Sequence, residues 1–169
     1  MKVCLIGNNL TALSLGKNLI NKKIKVFNYV TGKKFISKTR TIGISKDSLD
    51  FFNEEIIQLK KNMIWDIKKI DILTEKYKDQ KILNFEGSKK NLFSTFLNSE
   101  VIEYLEKNLK KNKYFKKISV KRHQSLRKIL NNKFDLIINC DSNNFITKEF
   151  FFRRITKNYK SKAFTCIIT

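Results

Sequence analysis

Residues 2–29 change hydrophobic period twice, and that change constrains the fold more than any other feature of the chain. Lys2 to Ile6 is a short apolar run of β-forming residues, and it stops at a Gly7-Asn8-Asn9 turn. From Leu10 the spacing becomes helical. Ala12, Leu13, Gly16, Leu19 and Ile20 fall on one face at a 3.6-residue period, with Lys17, Asn18 and Asn21 on the other. Ile24 to Tyr29 is a second strand. Strand, tight turn, helix and strand within about 30 residues is the size of a βαβ crossover, which joins parallel neighbours.

The rest of the chain reads on the same two periods. Lys33 to Thr39 is a loop and Thr41 to Ile44 an extended piece, and Leu49, Phe52, Ile56 and Leu59 form a helical stripe. Ile67 to Thr74 and Lys81 to Phe85 predict a hairpin around Lys78-Asp79-Gln80. Val101, Ile102, Leu105 and Leu109 mark a helix whose lysine-rich last turn suits the negative end of the helix dipole. Lys117 to Val120 reads as a strand, Leu126 to Leu130 as a weak helix, Phe134 to Cys140 as a strongly apolar strand and Ala163 to Ile168 as a last strand. The fold class is α/β, a parallel core sheet with antiparallel additions. With 169 residues, 41% of them hydrophobic, there is material for one domain with a core.

Lys+Arg 36 against Asp+Glu 15 gives a formal charge of +21, a balance that ordinarily points to nucleic acid or an anionic membrane surface. Composition supplies a duller cause. The enriched residues Lys, Asn, Ile and Phe have A/T-rich codons and Pro is absent, so drift in base composition would produce such a surplus wherever solubility tolerates it. The lysines come as scattered pairs with no RNP-type or helix-turn-helix pattern, which argues against nucleic acid as the main partner. No apolar run reaches the roughly 18–20 residues of a membrane helix, and the opening apolar run breaks at Gly7, so the expectation is a cytoplasmic chain. Cys4, Cys140 and Cys166 lie far apart in apolar runs, which indicates packing residues and neither a disulfide framework nor a metal site.

In a nucleotide-binding βαβ unit the first turn brings backbone N–H groups and a helix N-terminus up to a pyrophosphate, so glycine is wanted where a side chain would block approach. Against G-x-G-x-x-G/A this chain supplies Gly7 and Ala12, with Asn9 in the middle. Asn tolerates left-handed backbone, so the turn can form, but its side chain takes space a phosphate would use. At the end of the second strand, where an acidic residue accepts hydrogen bonds from a ribose diol, stands Asn28. An ordinary strand-to-helix turn that binds nothing fits these residues as well.

Four stretches then follow one another in a telling order: Gly7 to Gly16 (GNNLTALSLG), Lys38 to Ser45 (KTRTIGIS), Met63 to Asp66 with Ile67 and Ile70, and Leu136 to Asn144 (LIINCDSNN). In order and spacing they resemble the flavin-dependent aromatic-ring monooxygenases, above all the ubiquinone-biosynthesis hydroxylases, relatives of para-hydroxybenzoate hydroxylase. The resemblance implies a Rossmann-like FAD/NAD(P)-binding domain across 1–169, with its core in 1–30 and 98–145, a hairpin insertion at about 67–86 and the start of a substrate sheet at 162–169. It implies FAD as cofactor, NAD(P)H as reductant, O2 as oxidant, a phenolic or quinone-precursor substrate and a place in the cytoplasm or at the periphery of the inner membrane. By the same resemblance Gly7, Asn9 and Ala12 lie against the FAD pyrophosphate and Asn28 near the adenosine ribose. Arg40 lies on the flavin side, and Asp141 by the pyrophosphate and ribityl region. His123 is expected at the surface, and Trp65 as a core anchor.

The departures fall on one ligand's contact points. Asn9 stands for the middle glycine, Asn28 for the acidic ribose partner, Ser142 for the glycine of an Asp-Gly motif and Phe145 for a serine. A three-stranded meander of the family is replaced by a short Lys/Arg/Asn-rich stretch between Val120 and Phe134, and the sequence ends at Thr169, early in the substrate sheet. The resemblance therefore implies a divergent, truncated N-terminal portion, with FAD binding weakened or lost and a C-terminal partner chain as one way of completing it. Another dinucleotide-binding oxidoreductase, a non-catalytic α/β module or split-protein subunit, and a basic nucleic-acid-binding domain are the competing expectations.

Overall fold

The computed structural model describes residues 1–31, 37–74, 80–86, 91–120, 133–150 and 157–161, with 129, 153 and 155. In chain order the elements are β1 (Lys2–Ile6), α1 (Leu10–Asn21), β2 (Lys25–Thr31), β3 (Thr41–Ile44), α2 (Lys46–Phe51), β4 (Trp65–Ile67), β5 (Lys69–Leu73), β6 (Lys81–Glu86), β7 (Phe93–Leu97), α3 (Asn98–Lys110), β8 (Phe115–Val120), β9 (Leu136–Asn139) and α4 (Phe145–Phe150). A π-helical turn, Phe52–Ile56, continues α2, and a 3-10 turn occupies Lys61–Met63.

β1 is apolar at every position from Val3 to Ile6 and buried at each, as a strand covered on both faces must be. It pairs in parallel with β2 on one side and β9 on the other, and β8 pairs in parallel with β2, giving the order β8-β2-β1-β9. The parallel sheet expected from the opening βαβ pattern is therefore present. Alternation sorts its side chains. Val3, Leu5 and Val26 face α1 and α3 and pack with Leu13, Ile20, Val101 and Leu105. Cys4 and Ile6 face the other way, against Val120 and Ile146. Gly16 permits close helix-to-sheet contact, because a Cβ there would stand 3.3 Å from the Phe115 ring and 3.4 Å from Leu5.

An antiparallel sheet, β3-β7-β4, and the hairpin β5-β6 complete the described architecture. The hairpin pairs Ile70 with Phe85 and Ile72 with Leu83 on one face, and Ile72, Leu83 and Phe85 are exposed. Its other face carries Lys69, Asp71, Lys81 and Glu86 in ion pairs.

The structure corrects several details. The stripe expected from Leu49 to Leu59 is helical only to Ile56, because Asn21 Nδ2 donates to the carbonyls of Glu55 and Ile56 and Asn53 Oδ1 accepts from the Leu59 N–H. Leu59 reaches the core from extended chain beyond that end. Trp65, expected as a core anchor, is 42% exposed: among the described residues β4 has β7 as its one neighbour, and the core contact falls to Met63 and Ile64. The strand expected from Phe134 to Cys140 narrows to β9, and its first residue, Leu136, is exposed. β4, β7 and α4 have no counterpart in the sequence reading. The expectations for Lys78 and Asp79, His123, Leu126 to Leu130 as a helix, Cys166 and 162–169 lie outside the described residues. No helix among the described residues is long and apolar enough to cross a membrane.

Cys4 is fully buried in β1, and burial pushes its thiol up to about 12; burial also raises Cys140. Iodoacetamide at pH 8 is expected to leave Cys4 untouched in the folded chain and to modify it in urea; modification at equal rates would contradict this packing. The linkage has a definite sign. The unfolded thiol ionises near 9.0 and the folded one near 12, so the stability tied to Cys4 is complete below pH 9 and is lost as pH climbs toward 12. Urea unfolding at pH 8 and pH 10.5 measures the loss.

Candidate functional site

The carboxyl ends of β1 and β9 meet at Gly7. Its N–H donates to Tyr29 O at 2.9 Å, its φ is +133°, and a Cβ at this position would lie 3.4 Å from the Cys140 carbonyl carbon and Cβ and 3.5 Å from Asp141 N. Glycine is thus required by backbone conformation, while a Cβ itself would make ordinary van der Waals contacts here. The left-handed freedom expected of Asn9 is not used: Asn9 is extended, at φ −133°.

Asn9 is instead the N-cap of α1. Its Oδ1 accepts from the Ala12 N–H at 2.9 Å, its carbonyl from Leu13 N–H at 3.1 Å, and its Nδ2 donates to Cys140 O at 2.6 Å. The side chain therefore ties the first turn to the end of β9 and takes the Ala12 amide for itself. An anion arriving at this helix end meets the amides of Leu10 and Thr11, to which the helix offers no acceptor of its own. Asn9→Ala is expected to lower stability by about 1–2 kcal/mol, and Asn9→Gly to restore less than half of that, since glycine caps tolerably but cannot reach Cys140. Urea midpoints of the two variants test this, and equal midpoints for Asn9→Ala and the parent would contradict it.

Asp141 follows β9 and closes an Asx turn, its Oδ1 accepting from Asn143 N–H at 3.0 Å. Behind it lies a network the sequence reading missed. Asn139 Oδ1 accepts from the Asp141 N–H and from Asn144 Nδ2, while Asn139 Nδ2 and the carbonyl of Asp141 both bond the Thr147 hydroxyl. Asn144 is 1% exposed and caps α4 by accepting from Thr147 N–H at 3.0 Å. Three asparagines within LIINCDSNN were the available signal, since Asn at a strand end and at an N-cap satisfies backbone groups locally.

Asn28 stands opposite Leu5 of β1 and Lys117 of β8 rather than at the end of β2, which runs on to Thr31. It shares the helix-facing side with Val26, is 0% exposed, and neither polar atom of its amide has a partner. Asn8 Oδ1 and Ser14 Oγ are buried and unpartnered as well. Among the described residues every such orphaned side-chain atom belongs to the β1–α1–β2 unit. Native structures satisfy most buried polar groups, so this clustering marks the unit as the place where polar partners are lacking. Asn8 and Ser14 lay inside the motif stretch and were overlooked because neither is a motif position.

Gly7, Asn9, Ala12 and Asp141 are brought together, and Asn28 lies one strand away. Arg40 is not joined to them by any contact among the described residues: it is exposed, and its carbonyl accepts from Asn98 N–H at the start of α3.

No protein-family model matches the sequence, and no curated protein matches it. Solved structures do. A protein from Photorhabdus luminescens, provisionally described as a FAD-containing monooxygenase, superposes with a TM-score of 0.63 at 16% identity, over 89% of this chain and 42% of its own. The p-nitrophenol 4-monooxygenase PnpA from Pseudomonas putida DLL-E4 gives 0.56 at 10% identity, over 69% of this chain and 31% of its own. The fold is that of flavin-dependent monooxygenases. CtdE, solved in complex with FAD and a substrate, agrees at a TM-score of 0.51 and 11% identity, with 69% of this chain and 30% of CtdE covered. The chain spans less than half the length of each of these structures.

Proposed function

We propose that the chain is the FAD-binding portion of a flavin-dependent monooxygenase of the ubiquinone-hydroxylase type, with its own hold on FAD weakened. The observation that carries this reading is the Gly7 junction: a glycine at φ +133° packed on Cys140 and Asp141, at the end of a parallel strand and the start of a helix. In this reading the pyrophosphate meets the amides of Leu10 and Thr11 beside Gly7, Asn9 and Ala12. Asp141 fixes the β9 turn against the pyrophosphate and ribityl region and Arg40 approaches from the flavin side, while Asn28, buried in the middle of β2, backs the ribose position from beneath. Bound flavin would supply the redox chemistry, activating O2 for transfer to a phenolic or quinone-precursor ring after reduction by NAD(P)H. The protein's part is to orient the cofactor and exclude water.

Two features weaken the hold. Asn9 removes the Ala12 amide from the anion's reach, and Asn28 brings no charge to the ribose. Each is worth on the order of 1–3 kcal/mol, by analogy with other polar groups deprived of a partner, so affinity drops by powers of ten. The exposed apolar face of the β5-β6 hairpin, with Ile72, Leu83 and Phe85, supports a further part of the same reading. In it the domain runs across 1–169 with the hairpin as an insertion, and a C-terminal partner or continuation covers that face and walls the substrate site. The place of work is the cytoplasm or the inner-membrane periphery.

The test is gel filtration after incubation with FAD, followed by NADPH consumption with product mass spectrometry and peroxide detection. The purified chain is expected to lose its yellow colour on the column. With excess FAD, any NADPH it consumes is expected to appear as hydrogen peroxide, because in an open site the two electrons of reduced flavin would pass to O2 and leave as peroxide without oxygen reaching a substrate ring. Retained flavin would refute the weakened hold, and stoichiometric hydroxylated product would refute the incomplete site.

A further inference from the structure

The turn from α3 into β8 gathers lysines that look scattered in the sequence. From Lys107 to Lys117 there are six lysines and no acidic residue, and all six are exposed. Lys117 Nζ is paired with Glu106 at 2.8 Å. The other five have no carboxylate partner among the described residues. An open groove of about 690 Å³ runs beside Lys107, Lys110 and Lys116, with the half-buried Phe115 ring in its lining and the carboxylates Glu103 and Glu106 there as well. Favourable placement at a helix C-terminus accounts for Lys107 and Lys110 but not for Lys113 and Lys116, which lie past the helix.

We propose that this face binds single-stranded nucleic acid, with the lysines on consecutive phosphates and the half-buried ring of Phe115 against a base. A cationic track beside an apolar platform is how strands are held without sequence preference. An anionic membrane fits the face less well: no large hydrophobic residue from Phe93 to Val120 is among the exposed ones, so this face offers a bilayer nothing to insert. The lysines lie on α3, on the turn after it and on β8, none of them is a residue of the Gly7 junction, and their hold on a strand requires no FAD.

A chain of charge +21 attracts any polyanion, so the test must separate a site from bulk charge. Fluorescently labelled dT20 is titrated at several salt concentrations against the parent, the triple variant Lys110→Gln/Lys113→Gln/Lys116→Gln, and a control triple, Lys61→Gln/Lys68→Gln/Lys148→Gln, that removes the same charge from exposed positions elsewhere. Circular dichroism and urea midpoints confirm folding of all three. The first triple is expected to bind at least tenfold more weakly, its log–log salt slope shallower by about 0.7 for each phosphate no longer neutralised. The control is expected to stay within threefold of the parent. Equal weakening of both triples would overturn the proposal in favour of bulk charge. Loss of binding to phosphatidylserine vesicles by the first triple, with dT20 binding unchanged, would overturn it in favour of a membrane surface.

Discussion

Replacing Gly7 by valine is expected to prevent stable folding of the β1–α1–β9 junction, and replacing it by alanine to lower stability by about 1–3 kcal/mol, the usual penalty for a side chain in a backbone region reserved for glycine. Valine adds overpacking against Cys140 and Asp141, with a similar further cost of about 1–3 kcal/mol. Together these consume much of the roughly 5–15 kcal/mol that holds a typical domain folded. The strain is local and its consequence is not. β1 is the central strand between β2 and β9, so a displaced Gly7 also disturbs the bonds from Gly7 N–H to Tyr29 O and from Cys140 N–H to Ile6 O. Urea denaturation of the two variants checks the ranking. A Gly7→Val chain as stable as the parent would show that the junction is looser than its geometry implies.

The second large effect runs in the opposite direction. Asn28→Leu is expected to stabilise the chain by about 1–3 kcal/mol, because it removes a fully buried amide with two unsatisfied polar atoms and puts a side chain of similar size in its place. Asn28→Asp is expected to destabilise it strongly at neutral pH, since a carboxylate there would be buried without a partner. If Asn28 is retained for a ribose, the leucine variant gains stability and loses what FAD affinity the parent has. A leucine variant that is less stable than the parent would show that the amide finds partners in solution.

What the sequence made legible was the part governed by local periodicity. The apolar run of β1, the 3.6-residue stripe of α1 and the spacing to β2 dictate a parallel crossover almost alone, and the alternation on either side of residues 74–80 dictates the hairpin. The short elements were illegible for physical reasons. β4 and β7 have three and five residues, and the pairing of β7 with β4 and with β3 is a contact between distant segments that no local pattern encodes. Trp65 misled because bulk suggests burial, whereas position on an outer strand decides it. At the site, Gly7 and Ala12 were found through the shape of the turn, but the role of Asn9 was misjudged. Its composition-level meaning, a tolerated substitute for glycine, hid its structural one, a cap and a tie to Cys140. The Asn139–Asn144–Thr147 network escaped because its members become neighbours only once β9 turns into α4.

The most direct test of the central claim is an amide-resolved NMR titration of the 15N-labelled chain with FAD. The expected result is fast-exchange shifts that start at the amides of Gly7, Leu10 and Thr11, reach Asp141 to Asn143, spare the α3–β8 turn, and saturate only at high ligand concentration. Shifts centred away from the Gly7 junction, or none at millimolar FAD, would contradict it.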